Sequence, residues 1–312
     1  LGYYAAQALT EFLTAAVLLG LVAAIFAWSR RPSVGRLVLA GALIAAAGYL
    51  RSEYLGLALV FALVVAWLQR RSPRQALASA ATIVAVTALV MAPWVARYTV
   101  ATGRPAIYNQ SPFSNLMLMG TWFRVFDEQT FSELQRIETA PGPRDEAIAR
   151  AATVGTRPEL SRRYMEQARG PYERPLPETL GLMAGNIQLN LRQYLVNHLV
   201  LAPALIWAGH TPVRQADAPN LPPSGRYAMW AAELLLLILA LWQAVVALRS
   251  RETAALGTSF LAVVVFLTAV HTVIAVDERF TTPALPLIGL LAGARIALLL
   301  RARQRVAVSY AS

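Results

Sequence analysis

The stretch Tyr227–Leu248 reads YAMWAAELLLLILALWQAVVAL, and Arg249-Ser250-Arg251 follows it directly. Its one charged residue is Glu233, and it is long enough to cross the ~30 Å of hydrocarbon in a bilayer as a single helix. Five other stretches share this character: Leu9–Trp28, Glu53–Leu68, Ala76–Val95, Leu256–Val276 and Thr282–Leu300. A seventh, Leu37–Leu50, is short and rich in Ala and Gly, which suits a helix packed tightly between neighbours. Composition agrees. Of 312 residues, 57% are hydrophobic and 14% charged, where a soluble chain carries about 25% charged residues. A cytosolic enzyme, a disordered protein and a nucleic-acid module are excluded on that ground.

The short connections sort into two groups. Arg30, Arg31 and Arg36, then Arg70, Arg71 and Arg74, then Arg249 and Arg251, then Arg301, Arg303 and Arg305 face a single acid, Glu252. The other connections hold Arg51 with Glu53, and Asp277-Glu278-Arg279. The groups alternate as seven spans require, and the arginine-rich turns are expected on the cytoplasmic side. Trp28 and Trp67 then mark inner ends, Trp94 and Trp230 outer ends. The expected fold is an all-α polytopic membrane protein of about seven transmembrane helices with one long, mainly helical extracytoplasmic segment. Residues 1–96 carry four helices, 97–226 the outer segment, and 227–312 three helices with a short basic cytoplasmic tail. A multi-pass protein of the bacterial inner (plasma) membrane follows, with its site facing outward.

The net charge of +11 comes wholly from arginine, with no lysine, a usage that points to gene base composition rather than to nucleic acid. Cysteine is absent, so there is no disulfide, thiolate nucleophile or cysteine metal site. His198, His210 and His271 form no H-x-x-H pair. Leu1 lacks an initiator Met and a charged leader ahead of it, so the natural chain is expected to begin further upstream.

Within the outer segment, Asp145–Ala152 and Pro158–Ala168 read as short helices, with Pro141-Gly142-Pro143 and Pro171 to Pro177 as breaks. Leu176, Leu180, Met183, Ile187, Leu191 and Leu195 recur at three- and four-residue steps, with Asn186, Gln188, Asn190 and Gln193 between them. That pattern predicts an amphipathic helix on the outer membrane surface. The run Leu199–Ala208 is too short to cross and contains Pro203, so it is expected to be interfacial or re-entrant. Pro93 is expected to end the fourth span, and Gly103 to Gly120 to form a polar loop holding Tyr108, Asn109, Ser114 and Asn115.

Charges beside apolar spans are the first functional candidates, because hydrocarbon makes them costly. Glu11 sits at the outer end of the first span, seven residues after Tyr4. It reads either as a first-turn acid favoured by the helix dipole or as a carboxylate in an outward cavity. Arg51 and Arg279 each stand beside an acid in the two shortest outer turns, either as interfacial ion pairs or as phosphate ligands. Arg97 follows Pro93-Trp94 at the fourth span. Glu233 and His271 are weaker candidates, each reading as a hydrogen-bonding residue inside the bundle, and Arg295 reads as a residue snorkelling to the inner face.

The order Tyr4–Glu11, Arg51 after a short Gly/Ala-rich span, Pro93-Trp94-x-x-Arg97-Tyr98, Gly103-x-Pro105, Asn115-Leu116-x-x-x-Gly120 and Glu278-Arg279-Phe280-x-x-Pro283-x-x-Pro286 resembles a known family. It is similar to the multi-spanning GT-C glycosyltransferases, the superfamily of protein O-mannosyltransferases and lipid A aminoarabinose transferases. The resemblance implies transfer of a sugar from a polyprenyl-phosphate donor to a lipid, glycan or protein acceptor on the outer face, among membrane lipid and without nucleic acid. It implies Glu11 as a catalytic carboxylate, Arg51, Arg97 and Arg279 as donor-phosphate ligands, and Tyr4, Tyr108, Asn115 and Glu278 as cavity-lining residues. The family's principal carboxylate lies in a first outer loop upstream of Leu1. Its usual Asn after the Pro-Trp arginine is Tyr98 here, and its Arg-Tyr is Arg279-Phe280. The carboxylate would deprotonate an acceptor hydroxyl or hold a divalent metal ion, so the cofactor stays open. Two other readings remain: a non-catalytic transporter or flippase of lipid-linked sugars, and a membrane scaffold with a partner-binding outer segment.

Overall fold

The computed structural model describes residues 2–103, 110–171, 174–208, 223–274 and 278–311. They form helices and, among the described residues, no strand. In chain order these are α1 (Gly2–Arg30), α2 (Val34–Leu50), α3 (Leu57–Leu68, entered through a tight turn Ser52–Gly56), α4 (Pro73–Thr102), α5 (Gln110–Gly120), α6 (Glu128–Thr139) and α7 (Arg144–Ala151). There follow α8 (Pro158–Ala168), α9 (Leu176–Leu189), α10 (Leu191–Val196), α11 (Ala202–Ala208), α12 (Pro223–Leu248), α13 (Ala254–Ile274) and α14 (Leu285–Ala311, entered through a tight turn Glu278–Ala284). The chain divides into two compact units, one of Leu1–Tyr108 with Ile206–Val270 and Asp277–Ser312, the other of Asn109–Leu205 with His271–Val276.

The first unit is an apolar helical bundle. Among the described residues, five helical stretches are long and apolar enough to cross a membrane: Leu9–Arg30, Pro73–Thr102, Trp230–Leu248, Ala254–Val273 and Thr281–Arg301. Val34–Leu50 and Ser52–Leu68 are apolar but shorter; the 17 residues of α2 rise only about 25 Å. The chain is thus a helical membrane protein by the length and apolarity of its helices. One core cluster joins Leu18, Leu21 and Ile25 of α1 to Ile44 of α2, Phe61 of α3, Ile83 of α4, Phe260 of α13 and Leu291 of α14. The outside is as greasy as the inside: Phe12, Leu63, Leu77, Leu89 and Val265 are all more than half exposed.

Apolar against apolar gains little in lipid, so helices there associate through close packing and hydrogen bonds. Gly41 lets α2 lie against α4 so closely that a Cβ on it would stand 3.0 Å from the Ile83 carbonyl oxygen. In the same contact the Thr87 hydroxyl donates to the Gly41 carbonyl at 3.1 Å. Gly257 does the same for α13 against Ala244 and Ala247 of α12. At the arginine-rich end, Arg36 donates to the carbonyls of Ala27, at 2.8 Å, and Arg31, satisfying acceptors left open by the end of α1. Arg295 stacks its guanidinium 3.6 Å from the centre of the Trp242 ring, so it is held by α12 rather than merely snorkelling.

Two expectations are corrected here. The fourth helix does not end at Pro93; α4 runs on to Thr102 and stops at Gly103, whose φ of 69° is the left-handed conformation that closes helices. Proline removes only one donor and strains one carbonyl, and at its exposed position the remaining turns carry on. The expected polar loop up to Gly120 is also in part helical, since Gln110–Gly120 is α5. Residues 104–109 lie outside the described part.

The second unit packs α6, α7 and α8 around Trp122, Leu134, Ile137, Ala151, Tyr164 and Met165. Trp122 stacks on Phe126, and Tyr164 meets both rings edge-on. Asp127 caps α6: the Thr130 backbone N–H and hydroxyl donate to its two carboxylate oxygens, each at 2.8 Å. Both short helices read from sequence, near 145–152 and 158–168, are present as α7 and α8.

Candidate functional site

In the first unit, the Ser52–Gly56 turn packs on α2 and α3, and the Glu278–Ala284 turn packs on α1 and α14. Helix α2 ends at Leu50, and Arg51 adopts an extended backbone that reverses the chain. Two residues on, Glu53 accepts from Arg51 Nε at 2.6 Å, each side chain about one-fifth exposed. Tyr54 is fully buried beside Phe266. Gly56 makes room for that ring, since a Cβ there would stand 2.7 Å from it. The charges of Arg51, Glu53 and Glu11 all act on the Tyr54 hydroxyl. Of these three, Glu11 on α1 acts most weakly. The hydroxyl itself has no hydrogen-bond partner among the described residues, an expensive condition for a buried polar group in apolar surroundings.

The Glu278–Ala284 turn packs on α1 and is tied down by the Thr281 hydroxyl donating to the Ile206 carbonyl at 3.2 Å. It therefore brings the backbone of Glu278 and Arg279 to the α1 side of the bundle. The side chains of Tyr4, Glu278 and Arg279 lie outside the described residues, as does Tyr108 altogether. Arg97 is exposed on α4. It belongs to the same end of the bundle, because Tyr49 near the close of α2 donates to the Val90 carbonyl at 2.9 Å and meets Trp94 edge-on. The helical rise puts Arg97 about 5–10 Å further along α4 than that contact. Among the described residues no three His, Asp or Glu side chains group as a metal site. Glu233 is exposed on α12 and His271 buried on α13.

Asn115 lies in the second unit, on α5, where its Oδ1 accepts from Arg174 at 2.8 Å. Arg174 is 9% exposed and also donates to the Gln167 carbonyl at 2.7 Å. Burial lowers its pKa, a pull that Glu178 opposes and Arg144 reinforces. Behind it, Gln167 and Asn186 exchange amide hydrogen bonds at 2.8 and 3.0 Å. Trp122 donates to Gln167, and Asn186 to Thr121. Asn186 is thus buried against α5 and α8, while Leu176, Leu180, Leu191 and Leu195 are the exposed side of α9 and α10.

His198 sits in a widened turn, Asn197–Leu201, between α10 and α11. Its two ring nitrogens face the carbonyls of Tyr194, at 3.0 Å, and Gly120, at 3.2 Å. Burial lowers its pKa despite those two acceptors. Reading the sequence missed Tyr54, His198 and the Arg174–Gln167–Asn186 network. Phe266 is far along the chain from Tyr54, as Gly120 is from His198 and Asn115 from Arg174, and no local spacing encodes that. Compared with protein-family models, with curated proteins and with solved structures, the chain matches none of them.

Proposed function

We propose that the chain is a multi-pass glycosyltransferase of the bacterial inner membrane that moves a sugar from a polyprenyl-phosphate donor to an acceptor at the extracytoplasmic face. In this reading α2 and α3 are spans as well, giving seven crossings with the arginine-rich turns inside. The observation that supports it most is the buried Tyr54 hydroxyl beside the Arg51–Glu53 ion pair at the close of α2, with Glu11 acting on it more weakly from α1. A carboxylate, a guanidinium and an unsatisfied hydroxyl at one end of an apolar bundle match what the reaction needs. The isoprenoid lies along the lipid-facing grooves, and its phosphate needs cations at the interface. The acceptor hydroxyl attacks the anomeric carbon while the bond from that carbon to the phosphate oxygen breaks, and the electron pair leaves on the lipid phosphate. Glu11 takes the hydroxyl proton, and Arg51, with Arg279, stabilises the departing phosphate. Configuration at the sugar inverts.

The test is transfer of radiolabelled sugar from polyprenyl-phosphate donors by the natural full-length chain in nanodiscs. Glu11→Gln is expected to lower kcat about 100-fold or more with little change in donor affinity. Arg279→Gln is expected to weaken donor binding instead, and Arg279→Lys to restore it only partly, since lysine keeps the charge and loses the fork. Wild-type turnover unchanged in Glu11→Gln sinks the assignment of the base.

A further inference from the structure

The second unit holds a cavity of about 600 Å³ walled chiefly by α8, by α9 and by Pro171 and Arg174 between them. That is within the range of small-molecule sites, roughly 300–1,000 Å³, yet its wall is charged rather than apolar. Two of its arginines are built into place. Arg174 is nine-tenths buried, pinned by Asn115 and by the Gln167 carbonyl, and it lies so close over Gly170 that a Cβ there would overlap its guanidinium. Arg163 is half-buried and donates through Nε to Asn186 at 3.0 Å. It crosses α9 at Gly185, where a Cβ would stand 2.5 Å from its Nη2. The terminal nitrogens of Arg163 bond no described residue. Glu159 and Glu178 also line the cavity, whereas Arg162 and Glu166 satisfy each other at 2.9 Å.

We propose that this cavity binds an anionic sugar, whose carboxylate or phosphate is held by Arg163 and Arg174 and whose hydroxyls donate to Glu159 and Glu178. A guanidinium presents parallel N–H groups that match a carboxylate or phosphate, and Arg163 lines the cavity with its Nε held by Asn186. Ionised carboxylates are acceptors only, so Glu159 and Glu178 repel a bare anion and need a ligand that brings donors. A polyol carrying one anionic group supplies both. Among the described residues, Leu182 and Pro171 are the apolar contributors to the wall, which disfavours a lipid tail. The site is separate from Glu11 and Arg51, and the proposal does not depend on the transfer reading.

Ligand-observed NMR on the whole chain in phosphatidylcholine nanodiscs tests it without any donor. Glucuronate, glucose 6-phosphate, glucose and inorganic phosphate are titrated in parallel. At least one anionic sugar is expected to bind roughly tenfold or more tightly than both glucose and inorganic phosphate, about the worth of one charged hydrogen bond. Which of the two binds better separates carboxylate from phosphate as the recognised group. Arg163→Gln and Gly185→Ala are expected to abolish the preference with the melting temperature unchanged, and Arg163→Lys to keep part of it. Should Arg163→Gln melt early, Gly185→Ala and Arg163→Lys carry the test. Equal binding of glucose and the anionic sugars, inorganic phosphate binding as tightly as the better sugar, no binding at all, or a preference untouched in these variants overturns the proposal.

Discussion

At the scale of single residues, Tyr54 and His198 are informative because each is buried with its polar atoms poorly matched. The Tyr54 hydroxyl bonds no described residue, so Tyr54→Phe is expected to leave thermal stability unchanged or slightly raised. If sugar transfer falls in that variant while the melt does not, the hydroxyl serves the ligand. His198 is held below its usual pKa by burial, so the unfolded chain binds its proton more readily than the folded one. Stability of the second unit is therefore expected to be complete above about pH 6.5, the ordinary histidine value, and to decline as pH falls through it. Amide exchange at Gly120 and Tyr194 from pH 7.5 to 5 measures this, and His198→Gln is expected to flatten the profile. The sequence showed His198 only as a lone histidine with no metal-ligand spacing. The two carbonyls that surround it come from a turn of its own helix and from Gly120, 78 residues away.

At the scale of elements, hydropathy located every apolar helix because twenty successive apolar residues have no other stable setting than lipid or a deep core. Boundaries were legible only where a local rule acts unopposed. Pro158 begins α8 as a first-turn proline should. Pro93 was misleading because the turns around it are held by their own neighbours, such as Thr99 donating to Val95 at 2.7 Å. The single amphipathic helix expected over Leu176 to Leu195 is broken at Asn190 into α9 and α10; Asn186 is buried because it bonds Gln167 and Arg163, partners that no local spacing shows. Helix pairing was not legible at all: Gly41 is one of many small residues in α2, and only contact with Ile83 and Val86 singles it out. Gly41→Leu is expected to push α2 off α4 and to cost about 1–3 kcal/mol, read as earlier thermal unfolding in detergent. Gly35→Ala, with nothing near its Cβ position, is the matched control and should gain slightly from helix propensity.

For the whole molecule, the proposed seven-crossing arrangement rests on where arginine falls, and it is open to direct measurement. The chain has no cysteine, so each introduced thiol is the sole target of a maleimide. Ser132→Cys, on α6, is expected to react with a membrane-impermeant reagent in intact cells, and Ser72→Cys, between α3 and α4, only after the membrane is opened. Reaction of Ser72→Cys in intact cells reverses the orientation. Of the candidate site, sequence supplied the charged turns but not the influence of Glu11 on Tyr54, which depends on how α1 packs. The exposed leucines of α9 and α10 carry a practical corollary. A fragment spanning Asn109–Leu205, cut away to make a convenient water-soluble piece, would take with it Leu176, Leu180, Leu191 and Leu195, each 45–53% exposed. Such a fragment should behave as a surfactant: it should collect at air–water boundaries, elute with micelles and clump when detergent is dialysed away.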